Sequence, residues 1–149
     1  MGAGDGDDGY TLLFDVWVVA NSTRAVLDEA LRPSGLSAEE FALYSAVRRD
    51  GGITPTELAS LMALPPTTVS SIVARLERRG HARRAPNPGD ARSYRIQLTE
   101  AGMAAHEAAT ALFAPVLAKV ESALDLEVAE ARAGLAAIRD AVRAAADRG

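Results

Sequence analysis

The clearest chemical feature of this sequence is a cluster of positive charge near its middle. Residues 67–95 contain seven arginines against the two acids Glu77 and Asp90, a difference of +5, whereas the whole chain of 149 residues carries −4. Guanidinium groups donate hydrogen bonds to phosphates, so a basic segment inside an acidic protein is the electrostatic footprint of a module that contacts a polyanion. The acidic remainder would repel and orient that polyanion. The alternative is an arginine-rich helix face that is merely solvated.

Catalysis and metal binding have little support in the residue types present. The chain has no cysteine, which excludes thiol chemistry, disulfides and cysteine-ligated metal sites. Its two histidines, His81 and His106, lie on different predicted elements and belong to no metal-spaced or triad-like set. No glycine-rich loop follows a strand, as a phosphate-binding loop would. We therefore predict a protein that is not an enzyme, with no catalytic residue, no metal and no cofactor.

Length and hydropathy limit the architecture. A chain of 149 residues, 48% of them apolar, can bury one ordinary core. No apolar run approaches the roughly 20 residues of a membrane span. The first residues are acidic and glycine-rich, unlike a signal peptide. We therefore predict a cytoplasmic protein that has no membrane partner and that begins with a disordered leader at residues 1–9.

Helix signals divide the first half of the chain. Residues 10–31 carry a broad stripe of apolar residues at helical spacing, which predicts a long first helix. Ser37 and Glu40 have the spacing of a capping box, which predicts a second helix reaching about residue 50. The segment "TPTE", residues 54–57, places a threonine cap before a proline and a glutamate, which predicts a third helix.

A tight helical hairpin is predicted next. Pro65 and Pro66 interrupt the third helix, but Pro66 can begin a fourth, which Gly80 ends. The apolar spacing of the pair is that of a helix-turn-helix, in which the second helix enters the major groove of DNA; a purely structural hairpin is the alternative. Hydroxyls and arginines suit phosphates and base edges. The outer face of the fourth helix would present Thr67, Thr68, Ser70, Ser71, Arg75 and Arg78.

A β-hairpin is predicted directly after this pair. The segments 81–86 and 93–98 are short and extended, and "NPGDAR" between them is turn chemistry that leaves Arg92 at the tip. A hairpin in this position is a wing, and an arginine on a narrow finger suits the negative potential of a narrow minor groove. Asp90 would hold Arg92 in a local ion pair; an Asx turn is the alternative.

The stretch "ELASLMALPPTTVSSIVARLERRGHARRAPNPGDARSYRIQLTEAG" resembles the core of the MarR family of winged-helix transcription regulators. The resemblance implies a mainly α (α+β) fold, a winged helix-turn-helix with a two-stranded wing and with dimerisation helices at both ends. It also implies that Asp90 and Arg92 form the wing pair, that Thr68 and Ser70 face bases or phosphates, and that Arg75 and Arg84 support the DNA backbone contacts. The complete set of predicted DNA-binding residues is Thr67, Thr68, Ser70, Ser71, Arg75, Arg84, Asp90, Arg92 and Arg95.

The sequence also departs from the pattern of that family. Pro65 replaces a usual capping residue, Ser71 stands where an arginine is frequent, and Ala91 stands where a second wing arginine is common. His81 and Ala82 replace bulkier apolar residues. Fewer cations release fewer counterions, so we expect a modest affinity with a weaker salt dependence than in more basic relatives.

The last helix predicts a partner. Val128, Ala131, Leu135, Ile138 and Val142 alternate at spacings of three and four, as in a coiled coil. This stripe could pack on the chain's own first helix, but the resemblance implies a homodimer that reads a pseudo-palindrome. The predicted divisions are then the leader at 1–9, a dimerisation helix at 10–34, the DNA-binding domain at 35–99 and C-terminal dimerisation helices at 100–149.

The predicted function is therefore that of a sequence-specific regulator of transcription, a repressor that binds double-stranded DNA as a homodimer. The resemblance also implies release by a small aromatic or phenolic effector. Residues on the first two helices could contact that effector, although ordinary core packing is the alternative for them. The candidates are Phe14, Trp17, Asn21, Phe41 and Tyr44. The alternative function is a winged-helix protein-interaction module that binds no DNA.

Overall fold

The computed structural model describes residues 9–49 and 51–147. The chain is mainly helical, with one two-stranded antiparallel sheet, as predicted. A single 3-10 turn, Arg32–Ser34, follows the first helix. The elements are α1 (Leu12–Leu31), α2 (Ala38–Val47), α3 (Pro55–Met62), α4 (Pro66–Arg78), β1 (Ala82–Pro86), β2 (Tyr94–Leu98), α5 (Glu100–Ser122) and α6 (Val128–Ala146).

The predicted caps begin the second and third helices. Ser37 accepts a hydrogen bond from the Glu40 N–H while the Glu40 carboxylate accepts one from the Ser37 N–H, a complete capping box. Thr54 and Glu57 form the same arrangement at the start of α3. The end of α2 comes earlier than predicted, at Val47, and residue 50 lies outside the described residues.

The predicted helix-turn-helix is confirmed in α3 and α4. Leu58 of α3 packs with Val69, Ile72 and Leu76 of α4 in a buried cluster that continues into α2. The turn between the helices places Ala63 in the left-handed region, at φ 52°. A β-carbon makes this conformation unfavourable, so packing of the two helices maintains the turn against a local cost.

The wing is also confirmed. Residues 82–86 pair with residues 94–98 in antiparallel register, and Ile53 adds an isolated bridge to Ile96. Gly52 precedes that bridge at φ 76°, and a β-carbon there would collide with the Ile96 carbonyl oxygen. Ile96 is fully buried, so the bridge fastens the base of the wing to the helical core.

The described residues as far as Phe113 form one compact unit, and those from Ala114 onward form a second. Thr99 caps the start of α5 by accepting a hydrogen bond from the Gly102 N–H at 3.1 Å. The helix continues through Pro115 to Ser122. In the part of the chain that the structure describes, none of the helices combines the length and apolar character required of a membrane span. The predicted leader lies outside this part except for Gly9.

Candidate nucleic-acid interface

The predicted outer face of α4 is a solvent-facing surface of hydroxyl groups. Thr67, Ser70 and Ser71 are exposed, and Thr68 is half-buried. Ser70 Oγ donates to the Pro66 carbonyl oxygen at 3.0 Å, so its proton is already used inside the helix. The helix begins at Pro66 without a side-chain cap, which leaves the N–H groups of its first turn without the usual capping acceptor. This face presents hydroxyls and helix N–H donors to any molecule that covers it.

Arg75 does not belong to that hydroxyl surface. Its Nε lies 3.3 Å from Oε1 of Glu40 on α2, and Nη1 of Arg79 lies 3.0 Å from the same oxygen. Glu40 is buried, and its other oxygen, Oε2, belongs to the capping box. One carboxylate therefore caps α2 and also contacts two arginines, Arg75 on α4 and Arg79 at the end of that helix. Arg75, which was predicted to support the DNA backbone contacts, directs its Nε toward this acid inside the domain.

Arg84 is held in a similar way on β1. It donates from Nε to Glu77 Oε1 at 2.8 Å, and its guanidinium carbon lies 4.5 Å from the centre of the Tyr94 ring. The hydrogen bond to Glu77 raises the pKa of Arg84 above its usual value. This ion pair and cation–π contact connect α4, β1 and β2. The sequence indicated a role for Arg84 but not for Glu77 or Tyr94.

The wing turn is stabilised by two side-chain acceptors. Asp90 Oδ1 accepts the Arg92 backbone N–H at 2.9 Å, so the structure contains the Asx turn rather than the favoured ion pair. Asn87 Oδ1 accepts from the Gly89 N–H and from Arg95 Nε, both at 3.3 Å. Arg95 also donates from Nη1 to the Gly52 carbonyl oxygen at 3.0 Å, which anchors it at the base of the wing. Arg92 remains exposed at the tip.

Two histidines form hydrogen bonds with side chains of α2. Tyr44 Oη and His81 Nδ1 share a hydrogen bond of 2.7 Å, which joins α2 to the start of the wing. His106 Nε2 lies 2.9 Å from Ser45 Oγ, and the His106 ring stacks on Phe41. Burial, followed by the positive charge of Arg48, lowers the pKa of His106. Neither contact was predicted from the sequence, because each joins residues distant along the chain.

The five candidate effector residues differ in their exposure to solvent. Phe41 and Tyr44 are buried in the core, which is the alternative reading of them. Phe14 and Trp17 lie on α1, where the Trp17 side chain is 65% exposed. Asn21 is exposed and donates from Nδ2 to the Trp17 carbonyl oxygen at 2.8 Å. Aromatic spacing alone did not separate the two groups, because core and surface aromatic residues share helical periodicity.

A family model described as the MarR family matches residues 34–93, which cover α2 to the wing turn. The transcriptional regulator PecS of Dickeya dadantii is 38% identical over 81 residues, which make up 52% of this chain and 49% of that protein. The chain thus spans about half the length of that relative.

Solved structures extend the likeness to most of the chain. The Mycobacterium tuberculosis transcriptional regulator MosR in complex with DNA superimposes with a TM-score of 0.78 at 28% identity, covering 91% of this chain and 98% of that one. A cysteine-to-serine mutant of Escherichia coli MarR complexed with operator DNA gives a TM-score of 0.74 at 26% identity, covering 85% and 92%.

Proposed function

Because this chain belongs to the MarR family of winged-helix transcription regulators, we propose that it represses transcription by binding a pseudo-palindromic operator as a homodimer. Its family and fold are those of transcription regulators and not of enzymes. The two DNA complexes among the structural relatives support the choice of double-stranded DNA as the partner.

The proposal rests on which arginines of segment 67–95 form ion pairs with acidic residues and which do not. Arg75 and Arg79 share the single carboxylate of Glu40, and Arg84 pairs with Glu77. Within the basic segment 67–95, the exposed arginines that form no ion pair with a described residue are Arg78 on α4, Arg83 on β1 and Arg92 at the wing tip. The unpaired arginines of this segment therefore lie on the two elements that a winged helix-turn-helix presents to DNA.

The predicted DNA-binding residues then divide into two groups. Thr67, Thr68, Ser70 and Ser71 face the major groove, and Arg92 enters the adjacent minor groove. Asp90 shapes the wing turn that carries Arg92. The remaining three, Arg75, Arg84 and Arg95, are positioning residues that fix α4 and the wing relative to the core.

A second copy of the chain is the partner for the terminal helices. Large apolar residues are exposed on α1 and, separately, on the second compact unit. Water-exposed apolar patches of this kind mark association surfaces. Two-fold pairing would present the recognition helices to half-sites roughly 34–36 Å apart, one turn of DNA. The large exposed apolar residues are Tyr10, Leu12, Leu13, Phe14, Trp17, Val18, Val19 and Val26 on or just before α1, and Leu117, Val120, Leu124, Leu126, Leu135 and Val142 on the second unit.

We place release by an aromatic effector at the three exposed candidates of α1: Phe14, Trp17 and Asn21. Trp17 is the chain's single tryptophan, so its fluorescence reports directly on this surface. A phenolic acid that quenches Trp17 and weakens operator binding at the same concentration would support release. If phenolic acids change neither Trp17 fluorescence nor operator affinity, release by an aromatic effector is excluded.

The deciding experiment is DNA binding by the purified protein at several salt concentrations, using duplex from upstream of its own gene and unrelated duplex. We expect a specific complex with a linear decrease of log affinity with log salt. Absence of binding to any duplex at low salt would overturn the proposal and favour the protein-interaction alternative.

A further inference from the structure

The first half of α4 contains no arginine or lysine, the side chains that read guanine through its O6 and N7 acceptors. From Pro66 to Ala74 the helix carries no charged residue and no side-chain amide, and its exposed polar side chains are Thr67, Ser70 and Ser71. The N-terminal part of a recognition helix is the part that contacts base edges. The paired hydrogen bonds from arginine or lysine to guanine, and from asparagine or glutamine to adenine, therefore cannot form at these positions.

The arginines in the second half of α4 do not replace them. Arg75 and Arg79 converge on Glu40 Oε1 and so point back to α2. Arg78 is exposed, but it lies eleven residues beyond Thr67, about 16 Å along the helix axis at 1.5 Å per residue. Such a displacement suits a contact to phosphate at the edge of the groove rather than to the same bases.

Hydroxyl and methyl groups remain for base recognition. The Ser70 proton is used by the Pro66 carbonyl, so the Ser70 hydroxyl is left mainly as an acceptor. The Thr67 side chain is exposed one turn before Ser71, so a threonine methyl and two hydroxyls form one strip along the helix. In the major groove the apolar group that a methyl can contact is the C5-methyl of thymine.

We propose that this protein reads its operator in the major groove through thymine methyl groups contacted by Thr67, with Ser71 donating to an adjacent adenine N7 or thymine O4, and not through guanine. The inference rests on the proposed function and names the DNA that this function requires. The preferred half-sites are accordingly rich in A·T pairs under the start of α4.

The first test is selection of bound sites from random duplex, followed by base-analogue substitution in the best site. Replacing thymine by uracil under α4 removes only the methyl, and we expect a loss of about fourfold in affinity for each contacted methyl. Replacing guanine by 7-deazaguanine removes the N7 acceptor, and we expect no change. A loss of tenfold or more with 7-deazaguanine, and none with uracil, would overturn the proposal.

Two variants of Thr67 separate its methyl from its hydroxyl. Thr67→Ser removes the methyl, so it should lower affinity for the thymine site and make the protein insensitive to the uracil substitution. Thr67→Val keeps the methyl position and should retain that sensitivity. Ser122→Ala, at the end of α5, is the control for loss of one exposed hydroxyl. Equal uracil sensitivity in the wild type and Thr67→Ser would overturn the assignment to Thr67.

A variant that gains a new base preference tests whether Ser71 lies against the bases, because a misfolded protein could not give that result. Ser71→Arg puts a guanidinium where the wild type has a hydroxyl, so selection should now recover a guanine in each half-site, sensitive to 7-deazaguanine. An unchanged site preference would overturn the placement of Ser71 against the bases. If salt-dependent DNA binding persists while guanine readout is found in the wild type, this inference fails and the proposed function stands. If no duplex is bound, both fail.

Discussion

Glu40 on α2 and Arg79, the residue that ends α4, form an ion pair of 3.0 Å where α4 meets α2, and Arg75 of α4 lies 3.3 Å from the same carboxylate oxygen. The carboxylate is buried, but the two arginine side chains are about 40% exposed. A buried acid shared by two partly exposed arginines connects α4 to α2 and balances one of their two positive charges.

Glu40→Gln should therefore lower both stability and discrimination. Loss of a partner from a fully buried ion pair costs about 3–5 kcal/mol, and the exposed arginines reduce the expected loss here to about 1–2 kcal/mol. The two released arginines should strengthen non-specific DNA binding and steepen its salt dependence. Thermal melting and affinities for specific and random duplex measure these effects. Glu39→Gln, an exposed neighbour in the same helix turn, is the control; an equal change in both variants would contradict this role of Glu40.

Arg92→Ala should weaken specific DNA binding by about tenfold and reduce the magnitude of the log–log salt slope by about one. The reason is that Arg92 is exposed at the wing tip, and its guanidinium forms no ion pair with any residue that the structure describes. Titrations at four salt concentrations measure both quantities. Arg139→Ala removes an equal charge from α6 and should leave the slope unchanged; identical behaviour of the two variants would rule out the wing contact.

Stability should decrease on acidification because of His106. Ser45 Oγ donates to the Phe41 carbonyl, so His106 Nε2–H donates to Ser45, and Nδ1 is left buried with no partner among the described residues. The groups near this ring are Arg48, which lowers its pKa, and Glu107, which opposes that effect more weakly.

The folded-state pKa of His106 is therefore below that of the unfolded chain. Its stabilising contribution is complete above the unfolded value of about 6.5 and is lost as the pH falls through the folded pKa. Melting temperatures between pH 7.5 and pH 5 should decrease more in the wild type than in His106→Gln. Parallel pH profiles for the two proteins would assign the acid sensitivity to other groups.

Ala63→Gly should stabilise the protein, because Ala63 has φ 52° in the turn between α3 and α4. Glycine removes a β-carbon clash that costs the folded state about 1–2 kcal/mol. Glycine also increases the conformational entropy of the unfolded chain, which offsets part of this gain, so we expect the free energy of unfolding to rise by about 0.5–1 kcal/mol. Denaturant unfolding measures it. Ala104→Gly, in the interior of α5, should instead destabilise by about 1 kcal/mol. Destabilisation by both substitutions would contradict the left-handed turn.

Leu135→Glu should dissociate the proposed dimer. Leu135 is 58% exposed on α6 although it belongs to the apolar stripe, and a carboxylate cannot be buried unpaired in an apolar interface. Sedimentation should show a shift toward monomer and a loss of cooperative operator binding. Ala133→Glu, exposed on the opposite side of the same helix, should sediment as the wild type does. A wild-type monomer at micromolar concentration would contradict the dimer itself.

The sequence by itself determined the elements and their order. Ser37, Thr54, Pro66 and Gly80 act through hydrogen bonds and backbone angles within a few residues, so their spacing specifies where helices begin and end. In β2, the apolar residues Tyr94, Ile96 and Leu98 alternate with Arg95 and Gln97, and because a strand has a period of two this spacing places the three on one face. The resemblance over the helix-turn-helix and wing then indicated the family.

Only the tertiary structure decided how the charged and aromatic residues are used. Glu40 was interpreted as a cap, and its second oxygen meets Arg79 from a segment 39 residues away. Arg75 and Arg84 were interpreted as DNA contacts, but packing places an acid beside each. Phe41 and Tyr44 have the same helical periodicity as surface aromatic residues, yet they lie in the core. Local spacing cannot distinguish these cases, because the burial of a side chain and its ion partner depend on which distant elements pack against it.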